Sequence, residues 1–261
     1  MRGGTIGYLA SPRVVVDSQF PAEATALING LNERSGNIPV DYLINTHHHG
    51  DHTAGNISFK GVAKKVVAQT TAAEHMRNVP GAPPPAAGAT PPEQLYPDTT
   101  FAEKWSADVG DEKVSAKYYG RAHTSGDVVV TFERANVAHM GDLMFNQRHP
   151  VVDRAAGASL KNWMQILDRV PKDHSSDTVY IFGHAGTNLP VVGSDKDLAR
   201  FRDYLGALLA FVEAQVKAGK SRDEVLAMRE PLKGFETFGP FGQANPRDAL
   251  TCAYEEVTTG R

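Results

Sequence analysis

With 261 residues, 41% of them hydrophobic and 22% charged, the chain is long enough to bury a sizeable core and ordinary for a folded globular protein. A net charge of −3 without a long Lys/Arg cluster argues against a nucleic-acid groove, and no apolar run approaches the roughly 20 residues of a membrane-spanning helix. The single cysteine, Cys252, excludes an internal disulfide.

Two short strands are predicted first, over 5–10 and 13–17. A strand so close to Met1 predicts that an upstream segment has been removed, and a secretory signal lost with it would leave localisation open. Ala24, Leu27, Ile28 and Leu31 recur at helical spacing within 22–35. The run 41–45 then reads as a buried strand that delivers His47, His49, Asp51 and His52 within six residues. Four such groups on one strand-to-loop turn suit a cation better than a packed core, because imidazole and carboxylate together favour Zn²⁺ and its first-row neighbours. Alternation projects His47 and His49 to one side and turns His48 away, toward a structural or hydrogen-bonding role; Asp51 and His52 fall at the bend, facing a second ion.

A strand over 65–69 and a short helix over 72–77 follow. From Val79 to Pro92, proline and glycine forbid regular structure, so a stiff loop over about 79–97 is expected to cross the surface, with a lid over the site as one reading. Strands over 113–119 and 128–132 flank a polar turn that holds His123. A strand from 137 ends in Asp142 behind Gly141, and a strand from 178 ends in His184 behind Gly183. Rigid strands aim these groups, and glycine lets the backbone crowd an ion. Helices over 159–170 and 195–217 carry apolar stripes, and Ser221 with Glu224 predicts a capping box opening a helix over 223–228. Asp17, ending the second strand, fits strand capping or a hydrogen bond to a metal-bound imidazole. His139 reads as core or as a support behind the metal ligands; His75, His149 and His174 read as solvated, His149 within reach of a pocket rim. The aromatics of 235–241 are expected to pack on the last helices.

This ordered set resembles the metallo-β-lactamase-fold superfamily of metal-dependent hydrolases, over most of the chain. The resemblance implies an α/β fold, a four-layer αβ/βα sandwich forming one domain over 1–261, with the metals between the sheets at one edge and C-terminal helices over about 195–230. It implies a first metal on His47, His49 and His123, a second on Asp51, His52 and His184, and Asp142 bridging the two. Two divalent ions are expected, Zn²⁺ by default, with Fe, Mn or Co accepted by the same donors. The implied function is hydrolysis, a metal-bridging hydroxide attacking the carbonyl of an amide, lactone, ester or thioester, with Asp51 as the catalytic residue that orients the hydroxide and relays its proton.

Family members that are β-lactamases generally lack the bridging aspartate, and one large group uses a cysteine at the second metal. Here Asp142 is present and Cys252 lies far beyond the last ligand, so the set is more similar to the glyoxalase II, lactonase and phosphodiesterase branches. A metal-dependent phosphodiesterase would use the same centre, with more basic residues around it than Arg121, Arg148 and Arg154. A non-catalytic, metal-stabilised binding protein is the remaining alternative. A small molecule is the expected substrate.

Overall fold

The computed structural model describes residues 13–81 and 93–260, together with the backbone of 6–9. The first sheet is built in chain order from β1 (Ile6–Leu9), β2 (Arg13–Val16), β3 (Val40–Asn45), β4 (Ala63–Gln69) and β5 (Thr99–Phe101). The β1–β2 pair is antiparallel and the remaining pairs are parallel. Its connections carry α1 (Pro21–Ser35), the single turn α2 (Gly50–Thr53), a 3₁₀ turn over Ala54–Phe59, and α3 (Thr70–Arg77).

The second sheet contains β6 (Lys104–Val109), β7 (Glu112–Tyr118), β8 (Val128–Phe132) and β9 (Val137–His139). After β10 (Phe145–Asn146) and α4 (Leu160–Arg169), it is completed by β11 (Val179–Ile181) and, past β12 (His184–Ala185), by β13 (Val192–Gly193), in the order β13-β11-β9-β8-β7-β6. β10 and β12 form a small parallel ladder of their own. Three helices close the described chain: α5 (Asp195–Lys217), α6 (Arg222–Leu226) and α7 (Ala249–Thr259).

The layering follows from the period-2 alternation of side chains along a strand. Val14, Val16, Ile44 and Val67 point from the first sheet onto Val114, Ala116, Val128 and Val130 of the second. Their neighbours Val15, Leu43 and Val66 point outward, onto Ala24 and Leu31 of α1 and onto Phe59. On the far side, Val129, Ala138 and Tyr180 meet α4 and α5 through Trp163, Ile166, Phe201 and Leu205. Helix, sheet, sheet and helix therefore stack in that order. Each fully buried aliphatic side chain contributes about 1.5–3 kcal/mol, so the inter-sheet seam is a principal source of stability.

β3, β9 and β11 carry ladder partners that set their carboxyl ends at one edge of the stack, and β8, antiparallel to β9, brings its amino end there. The expected strands and long helices are present, and Ser221 forms the predicted capping box with Glu224. Six elements went unforeseen: α2, β5, β6, β10, β13 and α7. The strand β6 does alternate, with Trp105, Ala107 and Val109 on one face. In α7, Thr251, Cys252, Val257, Thr258 and Thr259 are indifferent helix formers; burial of Leu250, Cys252 and Ala253, and an Asp248 side chain capping Thr251 N, hold it instead. Most of the Pro-rich stretch, residues 82–92, lies outside the described residues, as does any lid formed by it. Among the described residues no helix is long and apolar enough to cross a membrane.

Candidate metal centre

Beyond Asn45 the backbone leaves β3, and Val128 N donates to Thr46 O at 3.0 Å, tying that exit to the start of β8. His47 Nε2, His49 Nδ1, His123 Nε2 and Asp142 gather within 4.8 Å of one another, His49 Nδ1 lying 2.9 Å from His123 Nε2. Asp51, His52 and His184 form a second group equally tight. Asp142 touches both. Its Oδ1 lies 3.0 Å from His52 Nε2, and its Oδ2 lies 3.3 Å from His184 Nε2 and 3.4 Å from His123 Nε2. All seven residues singled out in the sequence thus meet at one sheet edge.

Two glycines make that approach possible. Gly141 has φ +50°, and a Cβ there would lie 2.6 Å from Thr46 Oγ1. A Cβ on Gly183 would collide with Asp142 Oδ1. Any larger residue at either position must push the carboxylate or the His47 loop aside.

The outward nitrogens of four of the five imidazoles are spoken for; His184 Nδ1 is buried without a hydrogen-bond partner. His47 Nδ1 donates to Thr46 Oγ1 at 3.1 Å, and that hydroxyl donates to Asp17 Oδ2 at 2.8 Å. Asp17 Oδ2 also accepts from His52 Nδ1 at 2.7 Å, and its Oδ1 caps Thr46 N at 2.8 Å, so it fills both roles expected for it. His123 Nδ1 donates to Val151 O at 2.7 Å, and His49 Nε2 donates to Asp153 Oδ2 at 2.8 Å. A ring that donates from one nitrogen offers a lone pair on the other once it is neutral, and in these four rings that other nitrogen faces inward.

Inside, the buried His47 Nε2 has no hydrogen-bond partner, and His52 Nε2 and Asp142 Oδ1 face each other as an ion pair at 3.0 Å. A buried orphan costs about 1–3 kcal/mol, a penalty that a cation beside His47 would relieve. The donor set of imidazoles and carboxylates fits divalent first-row ions.

Electrostatics divide the imidazoles. Burial, reinforced by neighbouring histidines, holds His47 well below the usual imidazole range and His123 at about 3, so both are neutral at pH 7. Burial opposes charge on His52 and His184 too, but Asp142 outweighs it. With Asp17, Asp142 raises His52 well above its ordinary value; with Asp51, it lifts His184 to about 9. Asp142 itself resists ionisation by burial and is nevertheless held well below the carboxylate range by His52 and His184. A cation entering the second group must therefore displace protons, whereas His47 and His123 of the first group are already in ligand form.

Two residues of this centre had no local signal in the sequence. Buried Asp153 accepts from His49 Nε2, from Arg247 Nη2 at 2.6 Å and from Ala156 N at 3.1 Å, and its own N–H donates to His123 O at 3.1 Å. Arg247 arrives from the turn before α7. Both sit in polar loops more than a hundred residues from the His47 turn, where no spacing rule reaches.

Other expectations need correction. His48 does turn away, yet neither ring nitrogen is hydrogen-bonded; the ring lies 5.0 Å from that of His75. His75, His149 and His174 are partly buried rather than solvated. His149 Nδ1 meets Tyr204 Oη at 2.6 Å, and His174 bonds Thr131 Oγ1 at 3.0 Å. His139 is core, as read, with Nδ1 accepting from Gly141 N. Phe238 stacks on Tyr204 of α5 at 4.0 Å, as expected for the late aromatics.

The centre opens into a cleft of about 260 Å³ whose walls include Asp51, Asp142, His184, Phe20, Arg148 and Arg247. Residues 11–231 match the family model of the metallo-beta-lactamase superfamily. The chain is 26% identical over 183 residues to metallo-beta-lactamase IND-1 of Chryseobacterium indologenes, covering 68% of this chain and 70% of that relative. In fold it is similar to a metallo-beta-lactamase from Pontibacter korlensis (TM-score 0.61, 19% identity, 77% of this chain and 93% of that one). It is likewise similar to metallo-beta-lactamase IND-7 (TM-score 0.59, 20% identity, 77% and 86% covered). The chain belongs to the metallo-β-lactamase superfamily, and its four layers are that superfamily's αβ/βα sandwich.

Proposed function

We propose that the protein is a metal-dependent hydrolase acting on the carbonyl of an amide, lactone, ester or thioester. Two divalent cations, zinc first among the candidates, would be held by His47, His49 and His123 on one side and by Asp51, His52 and His184 on the other. The observation that carries this reading is the position of Asp142, whose carboxylate contacts imidazoles of both groups while sealed from solvent. Cations bound there supply Lewis acidity and an acidified water at neutral pH.

The chain's own residues do the rest. Asp51 is about one-quarter exposed, far more open to the cleft than Asp142, with Oδ2 3.1 Å from His184 Nε2. Burial opposes its ionisation, but the hydrogen bond from His184 and the charge of His52 bring it below its ordinary value. Ionised at neutral pH, it is suited to hold the attacking water by one hydrogen and to accept its proton. Asp17, Asp153 and the Val151 carbonyl lock His47, His49, His52 and His123 in orientation.

Phosphodiester hydrolysis is the second reading, favoured by the Arg148 and Arg247 guanidiniums on the cleft wall. The test starts from metal-free protein titrated with Zn²⁺, then assayed with a β-lactam, an acyl-homoserine lactone, a glutathione thioester and an aryl phosphodiester. Two equivalents bound, with turnover of a carbonyl substrate appearing at the second, is the expected result. Turnover of the phosphodiester alone would overturn the carbonyl class, and saturation at one equivalent would overturn the paired centre.

A further inference from the structure

The segment after residue 231, where the family match ends, builds a wall beside the metal cleft. A second cavity of about 580 Å³ opens there, between the chain that follows β10 and the turn leading into α7. Its apolar lining comes from Val151, Phe238, Pro240, Phe241 and Leu250. The two cavities share Arg148, Val151 and Arg247, so their walls are continuous.

The wall is firmly built. His149 stacks on Phe241 at 5.0 Å between ring centres, and its nitrogens are fixed by Tyr204 Oη at 2.6 Å and Gly239 O at 3.1 Å. The one carboxylate on this lining, Asp248, is committed to capping α7: it accepts from Thr251 N at 2.9 Å, Thr251 Oγ1 at 2.5 Å and Asn245 N at 2.6 Å. Arg247 is paired with Asp153 at 2.6 Å. Arg148 differs. It is partly buried where the cavities meet and makes no hydrogen bond or ion pair among the described residues. A half-desolvated guanidinium beside an apolar chamber is a ready partner for an anionic group on an otherwise hydrophobic molecule.

We propose that Arg148 and the Phe238–Phe241 chamber form a substrate-selecting subsite for an amphipathic acid, an apolar, preferably aromatic, group bearing a carboxylate. This rests on the hydrolase reading only for the position of the scissile carbonyl, which would lie toward Asp51 while the apolar end fills the chamber. Arg148 would anchor the carboxylate at the junction. The apolar part of that selectivity would then reside in a segment that the family match does not include, and its charged anchor in one that it does.

The experiment measures binding rather than turnover. Calorimetry on the zinc-loaded protein compares 4-phenylbutanoate, 4-phenylbutan-1-ol and butanoate, with zinc content determined for every variant. The first probe is expected to bind about 10-fold or more tighter than either of the others, since it alone engages both parts of the subsite. Arg148→Ala should bring it down to the level of the alcohol, Arg148→Glu should weaken it further, and Phe241→Leu should move it toward butanoate, all at unchanged zinc content. Equal affinity for butanoate and 4-phenylbutanoate, or an Arg148→Ala protein that binds like the wild type, would mean that the metals alone take the carboxylate and would overturn the proposal. Absence of turnover with the selective binding intact would count against the hydrolase reading and leave the subsite standing.

Discussion

At the scale of single residues, the centre is a set of charges that can be removed one at a time. Asp51→Ala should lower turnover by at least about 100-fold, the usual weight of a positioned proton acceptor, while elemental analysis still finds metal in the first group. Asp142→Asn should cost one of two zinc equivalents, because neutralising this carboxylate strips the shared contact from both groups. Asp17→Asn, acting one bond further out through His52, should weaken the second equivalent by about 10–100-fold. The pH behaviour of Asp153 has a definite sign. Burial opposes its ionisation, yet His49 and Arg247 outweigh that and hold its carboxyl at about 2, below its ordinary range. A depressed carboxyl stabilises the fold above about pH 4 and loses that contribution as pH falls toward 2. In urea unfolding of metal-free protein, the wild type should therefore lose on the order of 2 kcal/mol more than Asp153→Asn across this window. The seven inward-facing residues were legible because each sits close to a strand end, four of them after β3, with a glycine or a second histidine nearby. Asp153 and Arg247 act on the same imidazole with no such marker, and only tertiary structure joins them to it.

At the scale of elements, the lesson lies at the end of the chain. Helix α7 was not legible from propensity, since Thr251, Cys252 and Val257 favour no helix; tertiary burial outweighs local preference there. Its Glu256, buried, accepts from Ser159 Oγ at 3.0 Å, Leu160 N at 2.8 Å and Lys161 N at 3.1 Å, satisfying the otherwise unpaired first turn of α4. Replacing Glu256 with Ala leaves those donors buried and unpaired, and should cost about 2–3 kcal/mol in urea unfolding. The strand β6 presents the opposite case: its alternation of Trp105, Ala107 and Val109 was readable, but it follows a proline-rich stretch that gives no frame for a sheet. Gly183→Ala tests the close packing of strand ends. Added volume against Asp142 should cost about 1–3 kcal/mol and reduce zinc content, which elemental analysis and unfolding would both register.

At the scale of the whole molecule, the two-sheet stack was implied by resemblance and is explained by side-chain alternation, Val14 and Val16 facing one way and Val15 the other. Periodicity alone would not have distinguished this stack from another arrangement of parallel strands and helices. Cations held by the native centre would be released from its scattered residues on unfolding, so chelation should lower the melting temperature by roughly 5–10 °C, the equivalent of removing a ligand present at about 100 times its Kd. Calorimetric scans with and without chelator would measure the shift, and no shift would argue that the ions contribute nothing to the native state. The centre also spans the seam: His47, His49, Asp51 and His52 follow β3 in one sheet, while His123 precedes β8 and Asp142 follows β9 of the other, with His184 in the small β10–β12 ladder just past β11. Ions gripped from both sides would act as a clasp, so the layers could not part without first shedding them. Holo protein should then resist proteases through slow opening, and its lifetime would be set by how fast metal escapes.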